Sequence, residues 1–298
     1  MTYGSIGDEI VYHAEAVIRG GTTNAYVEIL NSPGITIDPS TIHIDSTDFD
    51  SSFFSSFVFK TTNLKNENGV AGLEVPKAAL DSMSSSGARI MFTFTGKLNE
   101  NTKFSNNDTT NVNDATVKIY FGDGRETEAS ISIISWKYTI NTFYKDNTDA
   151  IDIPNVHYSL SKTNDKENLE LYNFVKVSDG VYRLALDREE NTTTDLVNTA
   201  GKSIVIEGLN NGTYYLIQNS RPAGFGKVYD PTEIKLEVQN NSNGRKLNTD
   251  TLNIELAKES MVLPMTGGSG TTLLITLSLI SFIITFSIII TKIRIKNK

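Results

Sequence analysis

The chain has no cysteine among its 298 residues. Neither disulfides nor thiolate chemistry can hold or run it, so its domains depend on their cores or on some other covalent link. Histidine is almost as scarce. His13, His43 and His157 are far apart in sequence, without metal-ligand spacing, and suit structural or surface roles rather than catalysis. No Gly-Lys-Ser/Thr phosphate loop and no Gly-x-Ser-x-Gly turn occurs, and no cofactor or metal is expected. Asp45, Asp48 and Asp50 could offer oxygens to Ca²⁺, but no glycine-pivoted loop or distant glutamate completes an EF-hand. Asp108, Asn111, Asn113 and Asp114 are read as turn builders. Helical periodicity is nearly absent before residue 271, and Met1-Thr2-Tyr3-Gly4 opens without the basic and apolar stretches of an export signal.

What the chain does have is concentrated at its end. Residues 271–291 form an uncharged apolar run, followed by Lys292, Arg294, Lys296 and Lys298. Such a run spans about 30 Å as a helix, enough to cross a bilayer. The basic cluster fixes its far side as cytoplasmic, which places the preceding chain outside the cell. Without the four basic residues the formal charge moves from −8 to −12. An acidic ectodomain argues against nucleic acid or anionic lipid as the natural partner. A chain with this end needs export, so a truncated or mis-started reading frame is expected, with further sequence upstream. Export without a conventional signal is the alternative.

Between the two ends the pattern is that of short strands. Alternating runs rich in β-branched and aromatic residues occur at 8–18, 26–30, 57–59, 88–95, 115–121, 131–138, 181–186, 203–206, 213–218 and 233–238. Turn-forming segments such as Asn31-Ser32-Pro33-Gly34 and Gly122-Asp123-Gly124 separate them. A short helix is predicted at 76–83, with Pro76 in its first turn. This pattern indicates an all-β chain of two tandem sandwiches, with a boundary near 136–145.

Leu263-Pro264-Met265-Thr266-Gly267, directly before the apolar run, resembles the LPXTG sorting signal of Gram-positive surface proteins. Pentapeptide, membrane-spanning helix and basic tail stand together in the order of that signal. The resemblance implies that a sortase cysteine attacks the Thr266–Gly267 bond and passes the Thr266 carboxyl to an amine. That amine would belong to a peptidoglycan precursor or to a lysine of another pilin. The protein would be a substrate of this chemistry and not an enzyme.

Two further resemblances cover the remainder. Gly208, Leu209, Gly212, Thr213, Tyr214, Tyr215, Leu216, Pro222, Gly224 and Phe225 match the strand signature of SpaA-like, prealbumin-fold (collagen-adhesin B-type) domains, and 153–160 is similar to their early strand. Segments 6–12, 87–99 and 111–120 resemble the other domain of sortase-assembled fimbrial proteins. The implied organisation is a fimbrial isopeptide-type β-sandwich at 1–136 and a SpaA-like sandwich at 137–258. An immunoglobulin-like or prealbumin-like fold is expected for each, followed by the sorting signal and helix at 259–298.

The resemblance also implies a Lys–Asn isopeptide bond between the first and last strands of such domains. That reaction needs a buried lysine amine, an asparagine carboxamide and a buried carboxyl that shuttles protons. This sequence departs from the pattern. Gln218 stands where the glutamate belongs; Leu256 stands at the asparagine position, with Asn253 as second choice. Tyr144 stands at the lysine position, with Lys145 one residue away. No such bond is expected in the second domain, and Gln218 becomes a hydrogen-bonding core residue. In the first domain the asparagine position falls near Gly122 and the lysine would lie before Met1, so a complete crosslink is not expected there either.

The function this implies is a wall-anchored pilin subunit with a structural and adhesive role. No Tyr-Pro-Lys polymerisation motif is present, and Tyr144-Lys145 is its only echo. The alternative is a stand-alone wall-linked adhesin that binds a host matrix ligand.

Overall fold

Strand propensity translates into twenty strands in this computed structural model, which describes residues 2–106, 112–199, 203–227, 230–241 and 244–259. The first eight are β1 (Thr2–Tyr3), β2 (Glu9–Ile18), β3 (Ala25–Asn31), β4 (Ile35–Thr47), β5 (Gly69–Glu74), β6 (Ala88–Leu98), β7 (Phe104–Ser105) and β8 (Asn113–Phe121). The longest, β9, runs from Glu126 to Asp146 and is followed by β10 (Asp149–Asp152), β11 (His157–Ser161), β12 (Phe174–Ser178), β13 (Val181–Leu184) and β14 (Leu196–Val197). The last six are β15 (Ile204–Leu209), β16 (Gly212–Ser220), β17 (Thr232–Leu236), β18 (Val238–Asn241), β19 (Gly244–Leu247) and β20 (Thr251–Glu255). One short helix, α1 (Lys77–Ser82), begins after Pro76, whose fixed φ suits a helix start.

The buried apolar side chains fall into two clusters. The first is built by Tyr12, Ile18, Val27, Ile29, Phe92, Phe94 and their neighbours, between the sheet β4-β6-β2 and the strands β5-β3-β8 with the first part of β9. The second contains Trp136, Tyr138, Tyr158, Phe174, Tyr182 and Leu216. It lies between β12-β13-β15 with the rest of β9, and the sheet β14-β11-β16-β17. Each large side chain buried here contributes on the order of 1.5–3 kcal/mol of transfer free energy.

The two clusters meet on β9, which belongs to both. Ile133 closes the first and Ile134 opens the second, and the four residues from Ile133 to Trp136 are all fully buried. The change from one core to the other therefore happens inside a continuous strand, not in a connection. Tyr3 stacks on Trp136 at 5.4 Å between ring centroids, and the Trp136 indole N–H donates to Asn211 Oδ1 at 2.6 Å. Ile6 joins the second core beside Gly208, which takes φ +96° and leaves no room for a side chain there.

One expected strand is absent. Residues 57–59 follow a 3₁₀ helix, Ser51–Ser56, whose start is capped by Asp50 accepting from the Ser52 N–H at 2.8 Å. Local capping by serine and aspartate overrides the strand preference of the phenylalanines. Asn113 and Asp114, read as turn builders, instead open β8. Among the described residues no helix is long and apolar enough to cross a membrane. The expected sorting pentapeptide 263–267, the apolar run 271–291, the basic tail, Asp108 and Asn111 lie outside the described residues.

Candidate functional site

The expected crosslink position lies where β9, β11, β16 and β20 converge. Alternation along β9 points Tyr138, Ile140 and Thr142 into the second core and leaves Asn141 and Phe143 on the other face. β20 pairs with β9 in parallel, setting Asn253 opposite Asn141 and Glu255 opposite Phe143. The same parity governs β20, so Ile254 and Leu256 are buried while Asn253 and Glu255 are exposed.

The inward-facing set is uncharged. Thr142 Oγ1 and the Tyr158 hydroxyl form a hydrogen bond of 2.8 Å, and burial pushes the Tyr158 pKa up to about 12. Gln218 is 4% exposed and sits opposite Tyr158 across the β11–β16 ladder. Tyr144 packs its ring on Phe225 at 5.4 Å, and Leu256 is 2% exposed with its N–H bonded to Phe143 O at 2.9 Å. An amide and three hydroxyls can hydrogen-bond and fill space, but none is a carboxylic acid able to shuttle a proton.

Lys145 and Asn253 are on the outer face. Lys145 Nζ pairs with Glu255 at 2.8 Å, both side chains about half exposed. Asn253 Oδ1 accepts from Asn141 Nδ2 at 2.9 Å. Asn253 stands level with Asn141, four residues from Lys145 along β9. That spacing is roughly 13 Å, beyond what a lysine side chain covers. Among the described residues no lysine is buried at all, so the neutral, desolvated amine that the reaction needs has no representative here.

One buried acid does exist, and sequence reasoning missed it. Glu28 on β3 is fully buried, and its Oε1 accepts from the Lys65 and Asn66 backbone N–H groups at 2.8 and 3.2 Å. Lys65 Nζ lies 4.8 and 4.9 Å from the ring centroids of Tyr26 and Tyr120. The arrangement pins the 63–69 loop over the outer face of the sheet. The available signal was a glutamate inside the apolar run Ala25–Asn31, on the same side of the strand as Tyr26.

The remaining candidates have separate partners. His13 and His43 stand level with Thr93 on either side of β6, so the sheet brings together what the sequence separates. Thr93 Oγ1 donates to Asp45, and His43 Nε2 lies 3.2 Å from that hydroxyl. Asp48 holds Arg89 at 2.9 Å, Asp50 caps the 3₁₀ helix, and His157 Nδ1 meets Asp195 at 2.7 Å. Among the described residues no group of three such side chains could hold a metal ion.

No protein-family profile and no curated protein matches this chain. Solved structures do. The pilus 2b backbone protein of group B streptococcus superposes with a TM-score of 0.54 at 16% identity, over 87% of this chain and 96% of that one. The full-length major pilin RrgB of Streptococcus pneumoniae gives 0.56 at 8% identity, over 87% and 70%. The major pilin SpaA of Corynebacterium diphtheriae, whose structure is described as pointing to a modular pilus assembly with stabilising isopeptide bonds, gives 0.52 at 13% identity, over 86% and 65%. The chain therefore has the β-rich fold of Gram-positive pilus backbone proteins.

Proposed function

We propose that this chain is a wall-anchored pilus subunit, secreted and then processed by sortase between Thr266 and Gly267. The Thr266 carboxyl would pass to a peptidoglycan precursor or to a lysine of a neighbouring subunit. The observation that carries this reading is a pilus-backbone fold over 87% of the chain, continuous with Leu263-Pro264-Met265-Thr266-Gly267, an apolar run and a basic tail. Residues 1–136 and 137–258 act as the two structural modules, and 259–298 as the sorting segment. The role is mechanical and adhesive, with no catalytic step of its own.

Expression in a sortase-positive Gram-positive host tests it. Wall extracts should show a ladder of high-mass species, and Thr266→Ala should release the protein from the wall fraction. A single wall-linked band would sink the polymer and favour a stand-alone adhesin with a host matrix ligand. Loss of Thr266 dependence would sink sortase processing itself.

The same reading includes no Lys–Asn amide in residues 137–258. It is supported by the uncharged inward set Tyr144, Gln218 and Leu256 and by the outward Lys145 and Asn253. Each such bond releases ammonia, about 17 Da. Intact-mass spectrometry of the full chain should give the mass its sequence dictates, and a deficit of one ammonia would overturn this part.

A further inference from the structure

The outer face of β3 and β8 carries a group of side chains that a purely mechanical subunit does not need. Tyr26 and Tyr120 are directly paired across the two strands and therefore stand on one face. Their ring centroids are 6.0 Å apart and their planes are tilted by 49°, which forms an open V. The Lys65 ammonium lies in that V, with Nζ 4.8 Å from one centroid and 4.9 Å from the other. Glu28, two residues beyond Tyr26 on β3, takes the same face and is fully buried. Its Oε1 accepts from the Lys65 and Asn66 backbone N–H groups, whereas its Oε2 is buried without a hydrogen-bond partner. β5 makes room for this set. Gly72 stands opposite Glu28, and a Cβ there would collide with the Tyr26 hydroxyl.

Two tilted aromatic faces beside a buried acid make a receptor for a cation, because each ring turns a negative face towards positive charge. Burial first, and Glu28 next, push both phenols above their usual pKa, so the walls stay neutral. Lys118 stands opposite Glu28 but is otherwise engaged. It pairs with Glu126 at 2.6 Å and approaches the Tyr120 ring at 5.2 Å. Lys65 is exposed, so its side chain can swing out while its backbone N–H stays on Glu28.

We propose that Tyr26, Tyr120 and Glu28 form a non-covalent receptor for a lysine side chain of another protein, and that Lys65 is its tethered competitor. The present occupant defines the chemistry: a primary ammonium on an aliphatic stem. The formal charge of −8 favours the approach of a basic partner. Lys65, tied to the site by its own loop, acts at an effective concentration on the order of millimolar. An incoming lysine must displace it, so the receptor is self-inhibited. This site does not depend on sortase processing.

The test titrates n-butylammonium chloride, replacing sodium chloride mole for mole, into the full chain in detergent. Ring-proton shifts of Tyr26 and Tyr120 are followed by nuclear magnetic resonance. Lys65→Ala and Lys65→Ser should both give saturable shifts, with half-saturation at a concentration about fivefold or more below that of the unaltered chain. Adding Tyr120→Leu to Lys65→Ala should abolish them. Absence of saturable shifts in both Lys65 variants would overturn the receptor, and equal half-saturation with Lys65 in place would overturn the tethered competitor. Tighter binding of tetramethylammonium than of n-butylammonium would assign the site to quaternary amines and overturn the lysine as its ligand.

Discussion

Asn113 offers the sharpest test of how the first core is held. It opens β8 with its side chain fully buried and makes three hydrogen bonds. Oδ1 accepts from the Lys103 N–H at 2.9 Å, while Nδ2 donates to Lys103 O at 3.0 Å and Ile133 O at 3.3 Å. One amide thus ties the segment before β8 to β9. Asn113→Ala removes all three bonds and leaves the Lys103 N–H facing a void. An unmatched buried donor costs about 1–3 kcal/mol and the lost neutral bonds somewhat less each, giving a total of about 3 kcal/mol. For a protein of this size that corresponds to a fall in Tm of about 6–12 °C, measurable by calorimetry. Asn113→Asp is the discriminating companion. It can still accept from Lys103 but cannot donate, and burial disfavours its charge. Its penalty should be largest at neutral pH and shrink towards pH 4 as the carboxyl takes up a proton. An alanine penalty under about 1 kcal/mol, well below the cost of an unmatched buried donor, or an aspartate penalty indifferent to pH, would refute the clamp.

Three other outcomes follow from the second core and its junction. Arg183, 7% exposed, meets Glu189 at 2.5 and 3.2 Å, and Arg183→Ala should cost about 3 kcal/mol because it strands the carboxylate; the double change to Ala at both positions, read by the same denaturation curves, should cost less than the sum. Glu189 is held below the usual carboxylate range, chiefly by Arg183, so its share of stability is present at neutral pH and disappears as acid protonates it. Burial pushes Tyr158 and Tyr214 up to about 12, so the folded state keeps protons that the unfolded state releases near pH 10. Stability is then complete below pH 10 and lost by about 2–3 kcal/mol per tyrosine between pH 10 and 12; midpoints that stay flat across that window would contradict it. Gly208→Ala would force a side chain onto φ +96° with its Cβ 2.9 Å from Ile6 Cγ2, and a loss of about 1–3 kcal/mol in urea titration is expected.

Much of the fold could be read from the residues because alternation is a local property. The runs at 8–18, 115–121 and 213–218 lie inside β2, β8 and β16 apart from Asp8, since each has one wet and one dry face. β9 is different. Its first five residues are exposed on both faces and four residues in its middle are buried in succession. Only the part around 131–138 therefore reads as a strand from its residues. Parity also explains the site. Tyr144 and Lys145 are adjacent in sequence, but a strand turns them to opposite faces, so a shift of one residue separates a core position from solvent. Glu28 and the level placement of His13 and His43 needed the pairing of distant strands, which no local pattern carries.

The proposed load-bearing role makes the direction of β9's neighbours decisive. β1 and β20 both run parallel to β9. Tension that draws the amino end back and the carboxyl end forward therefore loads both ladders along the strands. All hydrogen bonds of a ladder must then yield together, whereas a strand peeled from its end loses them one at a time. The chain has no cysteine, and among the described residues no lysine is buried, so these ladders and the two cores carry the load without a disulfide. β20 is paired with β9 over five residues, from Thr251 to Glu255. At a net worth of about 0.5–1.5 kcal/mol per hydrogen bond, that ladder resists shear with several kcal/mol.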